Sequence, residues 1–282
     1  MAIYRQNTSR ENAVGLRIPP RLFIAVIIGL ISVVTYCSRQ QMNTVTGRTQ
    51  AIALTPEQEI YLGQQMAPQM AAEFGNELRD PQAQALVDAV GERLLRAMPA
   101  EYPDYPFEFH LLADQRTVNA FALPGGQVFI TAALFSRLET EGQLAGVLGH
   151  EIGHVLGRHS AERMAKTELG QGIVGAVGVA GSDVIGQHGA TQIAGAVSNM
   201  MLLKYGRQHE LESDALGLQF MANAKYDPRA MIRVMEILRE SSGGAASPEW
   251  SRSHPDPGNR IIKIQEWIDQ MYPNGVPAGL TP

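Results

Sequence analysis

Residues 150–154 read His-Glu-Ile-Gly-His. On an α-helix His150 and His154 lie one turn apart on one face, so both imidazoles can reach a single metal ion. Glu151 projects beside them, where a carboxylate can take a proton from attacking water and hand it to a leaving amine. Zinc suits such a pair and lowers the pKa of water toward roughly 7, which makes a nucleophile at neutral pH. In a chain with 7 histidines, this pattern arises by chance with odds of about 1%. Leu144, Val147, Leu148, Val155 and Leu156 flank it and mark a buried helix. Three polar groups buried there need partners, and a metal supplies one.

A catalytic zinc takes three protein ligands and keeps one position open. The third is sought downstream, in KYGRQHELESDALGLQFMANA. Glu210 and Asp214 are four apart on an expected helix, so Glu210 can ligate while Asp214 accepts the outer N–H of a ligand histidine. Spacing alone leaves Glu210 open against a solvated acidic face. His209 is a rival on a different face, and Glu212 points elsewhere on the same helix.

These residues need a scaffold. The expected fold is α+β and mainly helical, with a small sheet beside the histidine helix. Thr55, Pro56 and Gln58 form a capping-box start, and Thr140 with Gln143 opens the histidine helix in the same way. Leu86, Val87, Val90, Leu94 and Leu95 place a helix over Pro81–Met98. Phe107, Phe109 and Leu111 alternate as in a strand, and Pro124-Gly125-Gly126 is a turn before a strand at Gln127–Thr131. Residues 164–208 are rich in Gly and Ala and apolar, but Asp183 and His188 interrupt them. A loosely packed helical hairpin in the core is the plain reading, and a mobile lid or a membrane-facing surface the sharper ones.

Residues 22–37, LFIAVIIGLISVVTYC, carry no charge. Arg5, Arg10, Arg17 and Arg21 precede them against Glu11 alone, which holds the N-terminus in the cytoplasm and sends the rest across a membrane. No small-x-small site follows, so a retained anchor is favoured over cleavage. Lipid attachment at Cys37 is a third route, weakened by Tyr36 where a small residue normally precedes such a cysteine. The expected layout is an Arg-rich cytoplasmic N-terminus at 1–21, the anchor or signal segment at 22–37, a linker at 38–54, a metallopeptidase domain at 55–272 and a tail at 273–282. The net charge of −5 with scattered Lys and Arg argues against nucleic acid. The single cysteine excludes an intrachain disulfide and a cysteine zinc site.

HEIGHVLGRH together with RQHELESDALG resembles the zinc endopeptidase family that includes HtpX and the CAAX prenyl protease, and looks most like its periplasmic BepA- and LoiP-like branch. The likeness covers roughly residues 43–270 and includes NAFALPGGQVFIT and SHPDPGNRI. It implies a zincin-type fold with one Zn2+ per chain. The ligands would be His150, His154 and Glu210, with Glu151 the general base and Asp214 the supporting acid. It implies a substrate-binding strand at Asn119, where the residue-level reading also allows a turn. Arg207 matches an arginine that would orient a carboxylate or the substrate, or else form a surface charge pair. His254 matches a loop histidine near zinc, as a latch or an oxyanion aid. The implied activity is endoproteolysis of misfolded or unassembled cell-envelope proteins, with the domain in a bacterial periplasm. The alternative is an envelope chaperone or assembly factor with latent protease activity. No tetratricopeptide-like repeats follow the domain, which weakens inferences about assembly partners. His110, His159 and His188 carry no assigned role and read as structural or exposed.

Overall fold

The computed structural model describes residues 19–181, 205–241, 250, 254 and 258–282. Among these residues helices dominate, with two small sheets, in agreement with an α+β class. Helix α1 (Pro20–Ser38) starts at a proline and is the one described helix long and apolar enough to cross a membrane. Helix α2 (Pro56–Glu73) opens with the expected reciprocal Thr55–Gln58 box, and Asp80 caps α3 (Pro81–Arg96).

Strands β3 (Glu108–Leu112), β4 (Ala120–Ala122) and β5 (Gln127–Thr131) form a sheet in the order β3-β5-β4. β3 runs parallel to β5, and β4 antiparallel. The turn between β4 and β5 uses positive φ at Gly125 and Gly126, and a Cβ at Gly125 would strike the backbone of Ile60. Alternation sorts the sheet into two faces. Phe109, Leu111, Ala120, Ala122, Val128 and Ile130 face the main core. Leu112, Phe121 and Phe129 face Met70 of α2 in a second, smaller cluster. The sheet is therefore a middle layer between α2 and the helical core.

After the short α4 (Ala132–Phe135) comes α5 (Glu141–Leu156), buried at every position from Gly142 to Leu156. Thr140 Oγ1 accepts from Gln143 N–H as expected, but the Gln143 side chain reaches Glu139 N–H instead of the cap residue's own. Helix α6 (His159–Gly181) follows at once. Helices α7 (Arg207–Asn223), α8 (Ala230–Ser241) and α9 (Gly258–Met271) close the core around α5.

Three segments depart from the sequence reading. Residues 38–54, read as a linker, contain an antiparallel hairpin, β1 (Gln40–Met42) with β2 (Thr49–Ala51), fastened to the domain. Asn43 Nδ2 donates to the Leu156 carbonyl at 2.9 Å and Gln50 Nε2 to the Gly157 carbonyl at 3.0 Å. Both satisfy carbonyls that the end of α5 leaves without a helical partner. Residues 273–282, read as a tail, include Thr281, which exchanges backbone bonds with Lys225 and Asp227. The plain reading of 164–208 as core does not hold for residues 164–181. Residues 164–181 complete α6 and lie against α1, with Ile173, Val174 and Val177 exposed. Asp183 and His188 fall outside the described residues.

Candidate metal centre

Close approach of α5 and α7 builds the site. Gly149 and Gly153 on α5 face Gly217 and Ser213 on α7, where a Cβ at Gly149 would meet the Gly217 backbone at 3.3 Å and one at Gly153 the Ser213 Cα at 3.0 Å. Small residues at i and i+4 on both helices thus let the backbones come together. His150, His154, Glu210 and Asp214 sit on the facing sides, all fully or almost fully buried.

Ligand-type atoms of His150, His154, Glu210 and His254 all lie within 4.8 Å of one another. The His150 and His154 Nε2 atoms are 3.0 Å apart, and Glu210 places its carboxylate oxygens 3.6 Å from the first and 3.4 Å from the second. His150 Nδ1–H donates to Asp214 Oδ1 at 2.9 Å. His154 Nδ1 is 2.9 Å from His159 Nδ1, and His159 Nε2 donates to Glu212 Oε2 at 2.9 Å. With both outer nitrogens engaged in this way, the two Nε2 lone pairs face each other, an arrangement that a cation between them relieves.

Charge argues the same way. Glu151, Glu210 and Asp214 are three buried carboxylates, and among the described residues Arg260 is the one guanidinium hydrogen-bonded to two of them. It forks onto Asp214 through Nε and Nη2 at 2.6 Å each and donates to Glu210 Oε2 at 2.8 Å. Burial pushes the Glu210 and Asp214 carboxyls up, but His254 and Arg260 beside Glu210, and Arg260 beside Asp214, outweigh it and hold both below the usual carboxylate range. Burial holds His154 well below the ordinary histidine value, so it stays neutral as a metal ligand must. Three carboxyl groups against one guanidinium, beside converged imidazoles, fit a divalent cation of the zinc type.

Burial raises Glu151 against the opposing pull of His254 and His150. Neither of its carboxylate oxygens accepts a hydrogen bond among the described residues, and His254 Nε2 stands 3.7 Å from Oε1. His254 Nδ1 donates to Glu210 at 3.0 Å and stacks on Trp250 at 3.9 Å, while Tyr205 stacks on His154 at 3.9 Å. Asn119 is buried at the head of the edge strand β4, its backbone paired with Thr131 and its Oδ1 unpartnered among the described residues. A narrow cavity separates Ala122, Leu123 and Pro124 from His154 and Val155.

The structure places three further residues whose roles the sequence left open or unassigned. Arg207 is exposed, and the arginine that orients the carboxylates is Arg260, which stands in SHPDPGNRI but drew no role from the sequence. His159, read as unassigned, touches a candidate ligand directly. His209 is drawn away from the cluster, donating to Glu162 at 3.2 Å and stacking on His159. Contacts across 46 and more positions leave no local spacing signal, although the short step from His154 to His159 is visible in HEIGHVLGRH.

Comparison with known proteins agrees with this geometry. The model for peptidase family M48 matches residues 81–268, two thirds of the chain. The beta-barrel assembly-enhancing protease of Yersinia pestis is 30% identical over 235 residues, covering 81% of this chain and 47% of its own length. That of Escherichia coli is 30% identical over 239 residues, 82% and 47% respectively. The mitochondrial metalloendopeptidase OMA1 of Schizosaccharomyces pombe is 35% identical over 169 residues, 59% and 48% respectively. The chain spans about half the length of these relatives. With the match running through both the histidine helix and the Glu210 helix, the chain belongs to peptidase family M48.

Proposed function

We propose that the chain is a zinc-dependent endopeptidase anchored in a bacterial inner membrane by α1, with the residues after α1 forming a catalytic domain in the periplasm. His150, His154 and Glu210 would hold one zinc ion. When bound, zinc supplies Lewis acidity that activates water and polarises the scissile carbonyl. Glu151 takes the proton from that water and delivers it to the departing amine. Its burial favours the protonated form it must adopt midway. Asp214, held ionised by Arg260, keeps His150 in the tautomer that presents Nε2. The observation that carries this reading is a buried carboxylate, free of hydrogen bonds among the described residues, beside converged His, His and Glu ligand atoms.

An extended peptide laid along β4 from Asn119 would add backbone hydrogen bonds to the sheet edge. Such binding favours unfolded chains. The names of the bacterial relatives support misfolded or unassembled cell-envelope proteins as substrates. The test is cleavage of an unfolded model protein by the full chain in detergent. A chelator should abolish cleavage and stoichiometric zinc should restore it. Cleavage that survives complete metal removal contradicts the proposal.

A second reading, an envelope chaperone with latent protease activity, draws on closure of the site. His150, Glu151, His154, Glu210 and His254 expose no more than 2% of their surface, and His254 bonds Glu210 and stands 3.7 Å from Glu151. As a latch, His254 would give way when substrate enters. His254→Ala should then raise basal cleavage, whereas an oxyanion role predicts a fall.

A further inference from the structure

We propose that the C-terminal half of α6, residues 169–181, lies in the lipid bilayer beside α1, with acyl chains covering its exposed apolar face. The inference rests on the reading of α1 as a membrane anchor and extends it to a helix that carries charge in its first half.

The two helices pack antiparallel. Arg39 pairs with Glu168, Ser32 lies against Gly172, and Gly29 against Ala176. A Cβ at Gly172 would collide with the Ser32 hydroxyl. Ala25, Gly29 and Ser32 on one helix and Gly172 and Ala176 on the other form the small-residue seam that lets helices associate in lipid, where apolar side chains alone give no drive to pair.

Pairing does not hide the apolar surface. On α1, Phe23, Val26, Leu30, Ile31 and Val34 remain exposed, and on α6 Ile173, Val174 and Val177 are 45%, 71% and 67% exposed. Both helices of the pair thus carry several large apolar side chains in the open, a feature that on a protein surface marks contact with lipid or with another chain. The charge pattern sets the edge of the apolar stretch. Lys166 and Glu168 are the last charges on α6, level with Arg39 just past the end of α1, and from Leu169 to Gly181 the only polar side chain is Gln171. Arg39 and Glu168 therefore mark the water boundary on both helices. Nineteen residues of α1 rise about 28 Å, close to the hydrocarbon thickness, and residues 169–181 reach roughly 18 Å into it. Because α6 begins at His159, the metal site would be held within about 15 Å of the membrane surface.

The test uses the full chain with Cys37→Ser, reconstituted in vesicles of phosphatidylethanolamine and phosphatidylglycerol. Nitroxide labels are attached at Val174→Cys, Val177→Cys, Leu30→Cys on α1 and the exposed Ile262→Cys on α9. Collision with oxygen, which partitions into lipid, is compared with collision with a water-soluble nickel chelate. The expected result is that positions 174 and 177 favour oxygen several-fold, as 30 does, while 262 favours nickel. Nickel-accessible labels at 174 and 177 with a lipid-exposed 30 would overturn this inference and leave the anchor standing. A nickel-accessible position 30 would remove the anchor and the inference with it. Spin–spin broadening at 177 with neither reagent in reach would place a second copy there and overturn lipid contact.

Discussion

His159 Nδ1 lies 2.9 Å from His154 Nδ1, while the other side of its ring donates to Glu212 at 2.9 Å. The two candidate ligand histidines are thus oriented in different ways. His150 meets a carboxylate directly at Asp214, whereas His154 meets one through an intervening imidazole. Outer partners of this kind fix the tautomer and the angle of the ring. His159→Ala should weaken zinc affinity about 10- to 100-fold, measured by competition with a chromogenic chelator. The absorption bands of the Co2+-substituted protein should shift as the ligand field changes. Unchanged affinity and unchanged bands would assign His159 to packing alone.

Arg260 is the only guanidinium bonded to Asp214 and Glu210 among the described residues. Removing one partner of a buried ion pair leaves charge without compensation and costs about 3–5 kcal/mol. Arg260→Met should lower the urea midpoint of the metal-free protein accordingly, and Arg260→Lys should recover only part of it, since an ammonium cannot fork onto a carboxylate. Zinc should narrow the gap by balancing the same carboxylates.

Stability of the metal-free protein should fall as pH falls. Burial holds His159 down from 6.5 to about 4, against the hydrogen bond to Glu212 that raises it, and burial also lowers His154. The unfolded chain binds these protons below 6.5 and the folded chain does not, so the stabilising difference is complete above 6.5 and is lost on descending toward 4. Each proton contributes a slope of about 1.4 kcal/mol per pH unit in that window. Urea midpoints between pH 7.5 and 5 should show this slope, and His159→Asn should make it shallower. A wild-type profile flat across that range would contradict the buried neutral pair.

The hairpin β1–β2 ties helix α1 to helix α5. Asn43 holds the Leu156 carbonyl, and Arg48 reaches Glu162 at 2.5 Å and Glu212 at 3.3 Å. Asn43→Ala leaves a buried carbonyl short of its partner and should destabilise by about 1–3 kcal/mol, read as a lowered urea midpoint. A protein cut back to residue 49 loses Asn43 and Arg48 together and should be less stable than one beginning at residue 39.

Legibility of this molecule in its sequence follows interaction range. The histidine helix, the Glu210–Asp214 step, the Thr55 box and the β5 strand all announce themselves within a few residues, because helix and strand periods put their partners at fixed short spacings. The hairpin at 40–51 does not, since its strands are three residues each and polar. What holds it is a set of side-chain bonds to carbonyls more than 100 positions away. Arg260 is hidden for the same reason, and Arg207, at attractive local spacing, turns to solvent. His159 is a case of another kind. A third histidine near two ligands is visible in HEIGHVLGRH, but its role depends on Glu212, which only the packing of α7 against α5 brings within reach.

The most direct test of the central claim compares the full-length wild type with Glu151→Gln, both carrying measured zinc, on an unfolded protein substrate. The account predicts equal zinc content, cleavage by the wild type, and loss of cleavage by at least 100-fold, the scale on which acid–base groups act, in the variant. Suppression of substrate aggregation that persists in that variant would reveal a chaperone role beside the protease. Equal cleavage by both zinc-loaded proteins would contradict Glu151 as the general base and with it the reading of this site.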